Sequence, residues 1–371
     1  MTTAPAIGGR QAATSPPDRV VPRTTRVPRR VRSLTLDDHL AMLGSLASSF
    51  ALVEIVYNHL LDTSGLLGFL ICWYLAFVLV YGIVLRMSNP RPFVVERLVT
   101  ATLYVAAAIV VFALGTTVVY TFGQGWHALV HAGFFTHDMS GVSPLAPLSQ
   151  GGILQAIVGT VIEVGIAVCV SVPLGVGTAI YMSEVKGRFA SLVRTVVEAM
   201  TALPEILAGL FVYVTLVVGL GLPKSGLAAA VAMAVTMTPI IARAAEVALR
   251  IVPNGLREAS NALGASHWRT VSKVVLPSAR AGLATATILA IARGIGETAI
   301  VLITSGASSF LTFNPTENPM NSLPLFIYTA YTTHEPTAIA RAFGAASVLL
   351  VMVLALFATT RFLSRTKVAG R

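Results

Sequence analysis

Eight long apolar runs set the terms for what this chain can fold into. They lie at about 39–60, 65–86, 98–122, 152–182, 191–220, 226–248, 279–304 and 338–362. A helix rises about 1.5 Å per residue, so roughly 20 apolar residues cross about 30 Å of hydrocarbon. Apolar residues make up 55% of the chain and charged residues only 11%, against about 25% charged in soluble domains. The bilayer therefore organises the whole chain. Barrel strands would read as short alternating segments, so the sequence predicts an all-α, polytopic helical bundle.

A net charge of +10 raises the question of nucleic acid, and position answers it. Of the 26 Lys and Arg residues, 23 fall in the first 33 residues, in loops on one side of alternating spans, or at the chain's end. The opposite loops at about 61–64, 123–151 and 305–337 hold none, and Lys224, Arg293 and Arg341 are the exceptions. This is the asymmetry of membrane topology. It predicts cytoplasmic N- and C-termini in a multi-pass cell-membrane protein, with lipid and not nucleic acid around it. Residues 1–33 are rich in Pro, Thr and Arg, a composition expected to stay disordered. The first apolar run starts too far from Met1, and is too long, for a signal peptide.

Two cysteines, Cys72 and Cys169, fall inside spans without metal or disulfide spacing. His127 and His131 lie one helical turn apart in an outer loop near His137, but no carboxylate or thiol completes a metal set. Trp126, Phe134 and Phe135 suit an interfacial aromatic anchor there. Arg341 lies where it can snorkel to the outer interface.

Arg293 falls near the middle of the seventh run, where an isolated charge costs at least about 2.5–3.5 kcal/mol. Glu297 follows four residues later, a spacing that pairs side chains on one helix face. The pair reads either as a transient positive site for an anion, released by exchange with Glu297, or as a permanent structural ion pair. Glu163, Glu198 and Glu205 are further acidic residues in the fourth and fifth runs, read as interior structural or gating groups. Arg243 and Glu246, three apart, are placed to pair near the inner face. Pro173, Pro204 and Pro239 should bend their helices.

Between the sixth and seventh runs lies a cytoplasmic loop, about 250–278. Residues Gly255 to Leu263 suit a short helix, Gly264 a left-handed terminus and Ser266 the cap of a second helix. The loop resembles the coupling motif of ABC importer permeases, E-A-A, three residues, G, nine residues, I-x-L-P. The matching residues are Glu258, Ala259, Ser260, Gly264, Val274, Leu276 and Pro277, without a gap. The resemblance implies an elbow that docks on a separate ATPase subunit. No G-x-x-x-x-G-K-[ST] loop occurs in the chain, so ATP and magnesium are expected on that partner, with no cofactor and no covalent catalysis here.

Several other stretches resemble the permeases of bacterial phosphate importers. They are Gly151–Thr160, Val172–Val176, Ala179–Glu184, Thr238–Glu246, Ala292–Ala299 and Ser322–Tyr328. Two departures stand out. Ile300 occupies a common proline position, and Glu205 stands where serine is usual, so a carboxylate would repel an anion unless protonated or paired. The resemblance covers about 98–365 and implies a six-span core there, with 34–97 an extra two-span region. It places the anion path at Arg293, Glu297 and Thr298. It also implies three partners: an ATPase (PstB-like), a second permease (PstC-like) and an external phosphate-binding protein (PstS-like). Inorganic phosphate is the expected cargo. Other oxyanions (molybdate, sulfate, phosphonate) and an ion-gradient-driven secondary transporter are the alternative readings.

Overall fold

A computed structural model of the protein describes residues 36–60, 65–185 and 187–365. The basic arm expected to be disordered, 1–33, lies outside the described residues. In chain order the α-helices are α1 (Leu36–Glu54), α2 (Leu66–Ser88), α3 (Arg91–Leu129), α4 (Gly133–Thr136), α5 (Leu154–Glu184), α6 (Arg188–Ala202) and α7 (Glu205–Val212). They continue as α8 (Gly226–Arg250), α9 (Asn254–Ala262), α10 (His267–Thr270), α11 (Leu276–Ile295), α12 (Ala299–Thr304), α13 (Leu323–Thr332) and α14 (Pro336–Arg365). Short π-helical stretches extend α1 and α7 and join α10 to α11. Among the described residues, seven helical stretches are long and apolar enough to cross a membrane, or eight if the bent pair α6–α7 is one span. The chain is an all-α, multi-pass membrane protein.

The chain divides into two compact units, residues 1–109 and 110–371. In the first, α1 lies against α2. Phe77, Tyr81, Leu85, Val94 and Ala101 form its buried core, and the Trp73 indole donates to the Leu46 carbonyl at 3.3 Å.

In the second unit, α5 and α8 form the central pair. The α8 face is built from alanine: Ala228, Ala229, Ala230, Ala232, Ala242 and Ala245 are all buried. Between membrane helices, where lipid is as apolar as leucine, small residues gain association by letting backbones approach. Gly175 shows how closely, since a Cβ there would stand 2.7 Å from Ile241.

The fifth apolar run is two helices, not one. α6 and α7 meet at 102° across Leu203 and Pro204. Proline disfavours helical backbone in the residue before it, and Leu203 is accordingly extended (φ −68, ψ 131). By contrast α5 and α8 continue through Pro173 and Pro239 as single helices. The seventh run also ends early, because α11 stops at Ile295 and α12 starts afresh at Ala299.

Arg341 does not snorkel. It is 1% exposed, and its guanidinium donates to the carbonyls of Pro144, Ala146, Pro147 and Gln150 at 2.8–3.4 Å. A stretch without helix or strand leaves carbonyls that need donors, and a buried arginine supplies them.

A second tie between loops runs from Asp138, whose carboxylate accepts the N–H of Leu311 at 2.9 Å and that of Ser140 at 3.1 Å. The Leu311 N–H, helped by Ser140, holds the Asp138 carboxyl below its ordinary value. A depressed folded pKa contributes stability above the unfolded value and loses it as pH falls through the folded one. Asp138→Ala should therefore lower the thermal midpoint slightly at pH 6–7. The gap to the parent should close below about pH 4, the range where a free Asp protonates. A gap independent of pH would show that the carboxylate charge contributes nothing.

Candidate functional site

Arg293 sits on the last turn of α11 and is exposed on the surface of this subunit. Its guanidinium forms an ion pair with Glu205, the first residue of α7. The two line a cavity of about 40 Å³ with Thr201, Leu203, Val235 and Thr236. Glu205 reaches this place because Pro204 ends one helix and starts another directly before it. The carboxylate that departs from the phosphate-permease pattern is therefore paired, and the site's formal charge is balanced while the pair holds.

Glu297 is not one turn along the same helix. The backbone tightens after Arg293, with Gly296 N–H donating to Arg293 O at 3.1 Å and Glu297 N–H to Gly294 O at 3.2 Å. Glu297 instead lies in the break between α11 and α12. It stays within electrostatic reach of Arg293. Thr298 precedes α12 and faces elsewhere, lining an open groove of about 660 Å³ with Leu302, Pro324, Tyr328 and Tyr331.

The other acidic residues separate. Glu198 pairs with Arg243 at 2.9 Å, both half-exposed. Glu163 is fully buried on α5; the site at Arg293 does not include it.

Glu246, on α8, is the centre of a network that the sequence showed only in part. Its buried carboxylate accepts Arg194 of α6 at 2.8 Å, Arg243 at 3.2 Å and Arg250 at 2.7 Å. The (i, i+3) and (i, i+4) spacings of Arg243 and Arg250 are legible in sequence; Arg194 is 52 residues away.

The loop after α8 is an elbow. α9 carries Glu258 and Ala259, both exposed, and Ser260, whose hydroxyl meets that of Thr270 at 2.8 Å. Gly264 has φ +78, the left-handed geometry that glycine adopts without penalty. α10 and a π-helical stretch then lead to Leu276 and Pro277, with Pro277 in the first turn of α11. A nine-residue helix is marginal alone, so α9 depends on its anchors. Arg257 supplies one, donating to the carbonyls of Leu249 and Val252 and to Glu184 at the end of α5 at 2.9 Å. Sequence reasoning missed the Glu184–Arg257 tie. Leu256, Leu263 and Trp268 project from the elbow, exposed at 44%, 88% and 69%.

The protein family described as "Binding-protein-dependent transport system inner membrane component" matches residues 171–367. The phosphate transport system permease protein PstA 1 of Mycobacterium tuberculosis is 39% identical over 62% of this chain and 75% of its own length. PstA of Mycobacterium leprae is 34% identical over 78% of this chain and 96% of its own. Among solved structures, a chain of the inward-facing MetNI methionine ABC transporter aligns with a TM-score of 0.46, at 22% identity, over 58% of this chain and 94% of that one.

Proposed function

We propose, since this chain belongs to the family of binding-protein-dependent inner-membrane transport components, that it is the PstA-type permease through which an ABC importer moves inorganic phosphate. The observation that carries this is the likeness to PstA proteins over nearly the whole length of one of them. The chain is a membrane component of an ABC transporter, and such a permease works with an ATPase and a substrate-binding protein. The finer reading is that the ATPase is PstB-like and holds ATP and magnesium, that a PstC-like permease completes the channel, and that a PstS-like protein delivers phosphate from outside. Both termini then lie in the cytoplasm, on the same side as the elbow.

The residues fit this division of labour. The elbow of Glu258, Ala259, Ser260 and Gly264 offers small side chains and three projecting apolar groups to a partner. Leu276 and Pro277 join it directly to α11, whose other end carries Arg293. Arg293 offers an exposed cation that an anion can claim in exchange for Glu205. Such a swap keeps binding weak enough for passage.

The test is phosphate uptake by cells with and without the chain, with Gly264 variants at equal expression. Nothing lies within 4 Å of a Cβ built on Gly264, so substitution there acts through backbone conformation. Left-handed geometry costs a side-chain-bearing residue about 1–2 kcal/mol, or a 5- to 30-fold loss of correctly shaped elbows. Uptake should fall in the order Gly264, Gly264→Asn, Gly264→Ala, because asparagine tolerates this region better. Phosphate uptake indifferent to the chain would sink the cargo assignment; equal activity of all three Gly264 forms would sink the docking one.

A further inference from the structure

The arginine cluster on Glu246 has charge to spare. Arg194 Nη2 and Arg250 Nη2 donate to the same oxygen, Oε1 of Glu246, at 2.8 and 2.7 Å. The two guanidinium groups therefore stand side by side, one from α6 and one from the end of α8. Glu246 is also bonded to Arg243, whose other partner is Glu198. Among the described residues, three cations in this cluster thus meet two carboxylates. Glu184, at the end of α5, is held by Arg257 and does not restore the balance.

Arg194 and Arg250 also line one cavity, of about 310 Å³, with Ser183 near the end of α5 and Gly187 and Ser191 where α6 begins. Their side chains are 33% and 58% exposed, whereas that of Glu246 is 2% exposed. An anion entering the cavity therefore meets the cations, while the carboxylate that holds them is covered. The bonds to Glu246 set both guanidiniums in place and leave donors over. Each guanidinium has five N–H groups. Arg250 gives one nitrogen to Glu246, and Arg194 gives two nitrogens to Glu246 and Met182 O. Guanidinium groups match phosphate oxygens with parallel, charge-assisted hydrogen bonds.

We propose that this cavity binds a phosphate group between Arg194 and Arg250, at a site separate from the Arg293–Glu205 pair. No residue lines both cavities. The site lies on the elbow's side of the subunit, since Arg250 is the last residue of α8 and α9 starts at Asn254. Two sources share this chemistry: free inorganic phosphate, and the head group of an anionic phospholipid, which basic pockets between membrane helices also take. The inference shares with the proposed function only the chemistry of the anion.

The test uses the complete transporter in nanodiscs, without nucleotide or external binding protein and with Arg293→Ala in place. In discs of phosphatidylcholine, binding of labelled inorganic phosphate is measured at equilibrium. In discs containing phosphatidylglycerol, the lipid retained by the complex is counted by native mass spectrometry. Saturable phosphate binding or retained phosphatidylglycerol is expected in at least one arm. It should weaken at least tenfold with Arg250→Gln, and equally with Ser191→Asp, which sets a carboxylate at an exposed edge of the cavity. Phosphate binding identifies free phosphate as the source, and lipid retention alone identifies the head group; either upholds the site. Binding in neither arm, or binding indifferent to an assembled variant, overturns it. Assembly is checked by size exclusion, and if one variant fails to assemble the other decides. Phosphate uptake by parent cells is measured in parallel. If uptake is intact while both arms fail, this inference alone falls; if uptake is absent while an arm succeeds, the cargo reading alone falls.

Discussion

Cells carrying Arg293→Ala should take up phosphate no faster than cells lacking the chain, although the variant inserts and assembles. The change removes the one cation in the cavity beside Glu205 and leaves that carboxylate facing the incoming anion. Repulsion then replaces attraction at the same spot. Glu205→Gln should behave differently, because it frees Arg293 from its partner without adding a charge. Phosphate would bind more tightly and leave more slowly, so KM and the maximal rate should fall together. Transport kinetics on both variants separate the two readings of the pair. If Glu205→Gln changes neither parameter while Arg293→Ala only lowers the amount of assembled protein, the pair is a structural tie.

The largest expected effect on stability is at Glu246. One buried carboxylate holds three arginines, and replacing it by glutamine leaves three like charges converging on a neutral amide. Breaking a fully buried ion pair costs about 3–5 kcal/mol. The arginine side chains here are 33%, 46% and 58% exposed, so water and salt offset part of the loss. A cost of about 2–3 kcal/mol follows, read as a clear drop in the thermal midpoint of the detergent-solubilised protein. Glu198→Gln removes only a half-exposed partner of Arg243 and should move the midpoint far less. Equal shifts for the two would show that burial of Glu246 is not what gives it weight.

The elbow was legible because its signals are local: Gly255 to Leu263, Gly264 and Ser266 suit a helix, a turn and a second cap within one short stretch, the resemblance to the coupling motif falls on the same stretch, and φ +78 at Gly264 agrees with the left-handed turn expected there. The span pattern was legible for a related reason, since hydropathy is read within a window of one helix. What failed was pairing. An Arg293–Glu297 match needs a continuous helix, and the break after Ile295 removes that register. Its partner, Glu205, is 88 residues away, and only the fold brings it near. Arg341 and Arg257 show the same limit. Their partners are loop carbonyls and a carboxylate at the far end of α5, which leave no periodic trace. α13 did leave a trace: Ser322 caps its start, with proline in the first turn as helix openings favour.

The sharp corner between α6 and α7 gives the subunit a crank. α6 is 15 residues long, an arm of about 22 Å, with its pivot at Leu203 and Pro204 and Arg194 tied partway along it to α8. Glu205 stands immediately beyond that pivot. For rotation about the corner, a tilt of about 5° sweeps the free end of α6 by about 2 Å over that arm, while Glu205 turns almost in place. Where the two helices turn as one, long travel at the free end of α6 becomes a small, forceful rotation at the carboxylate that holds Arg293. The leverage runs in the direction needed to prise apart an ion pair with a modest push.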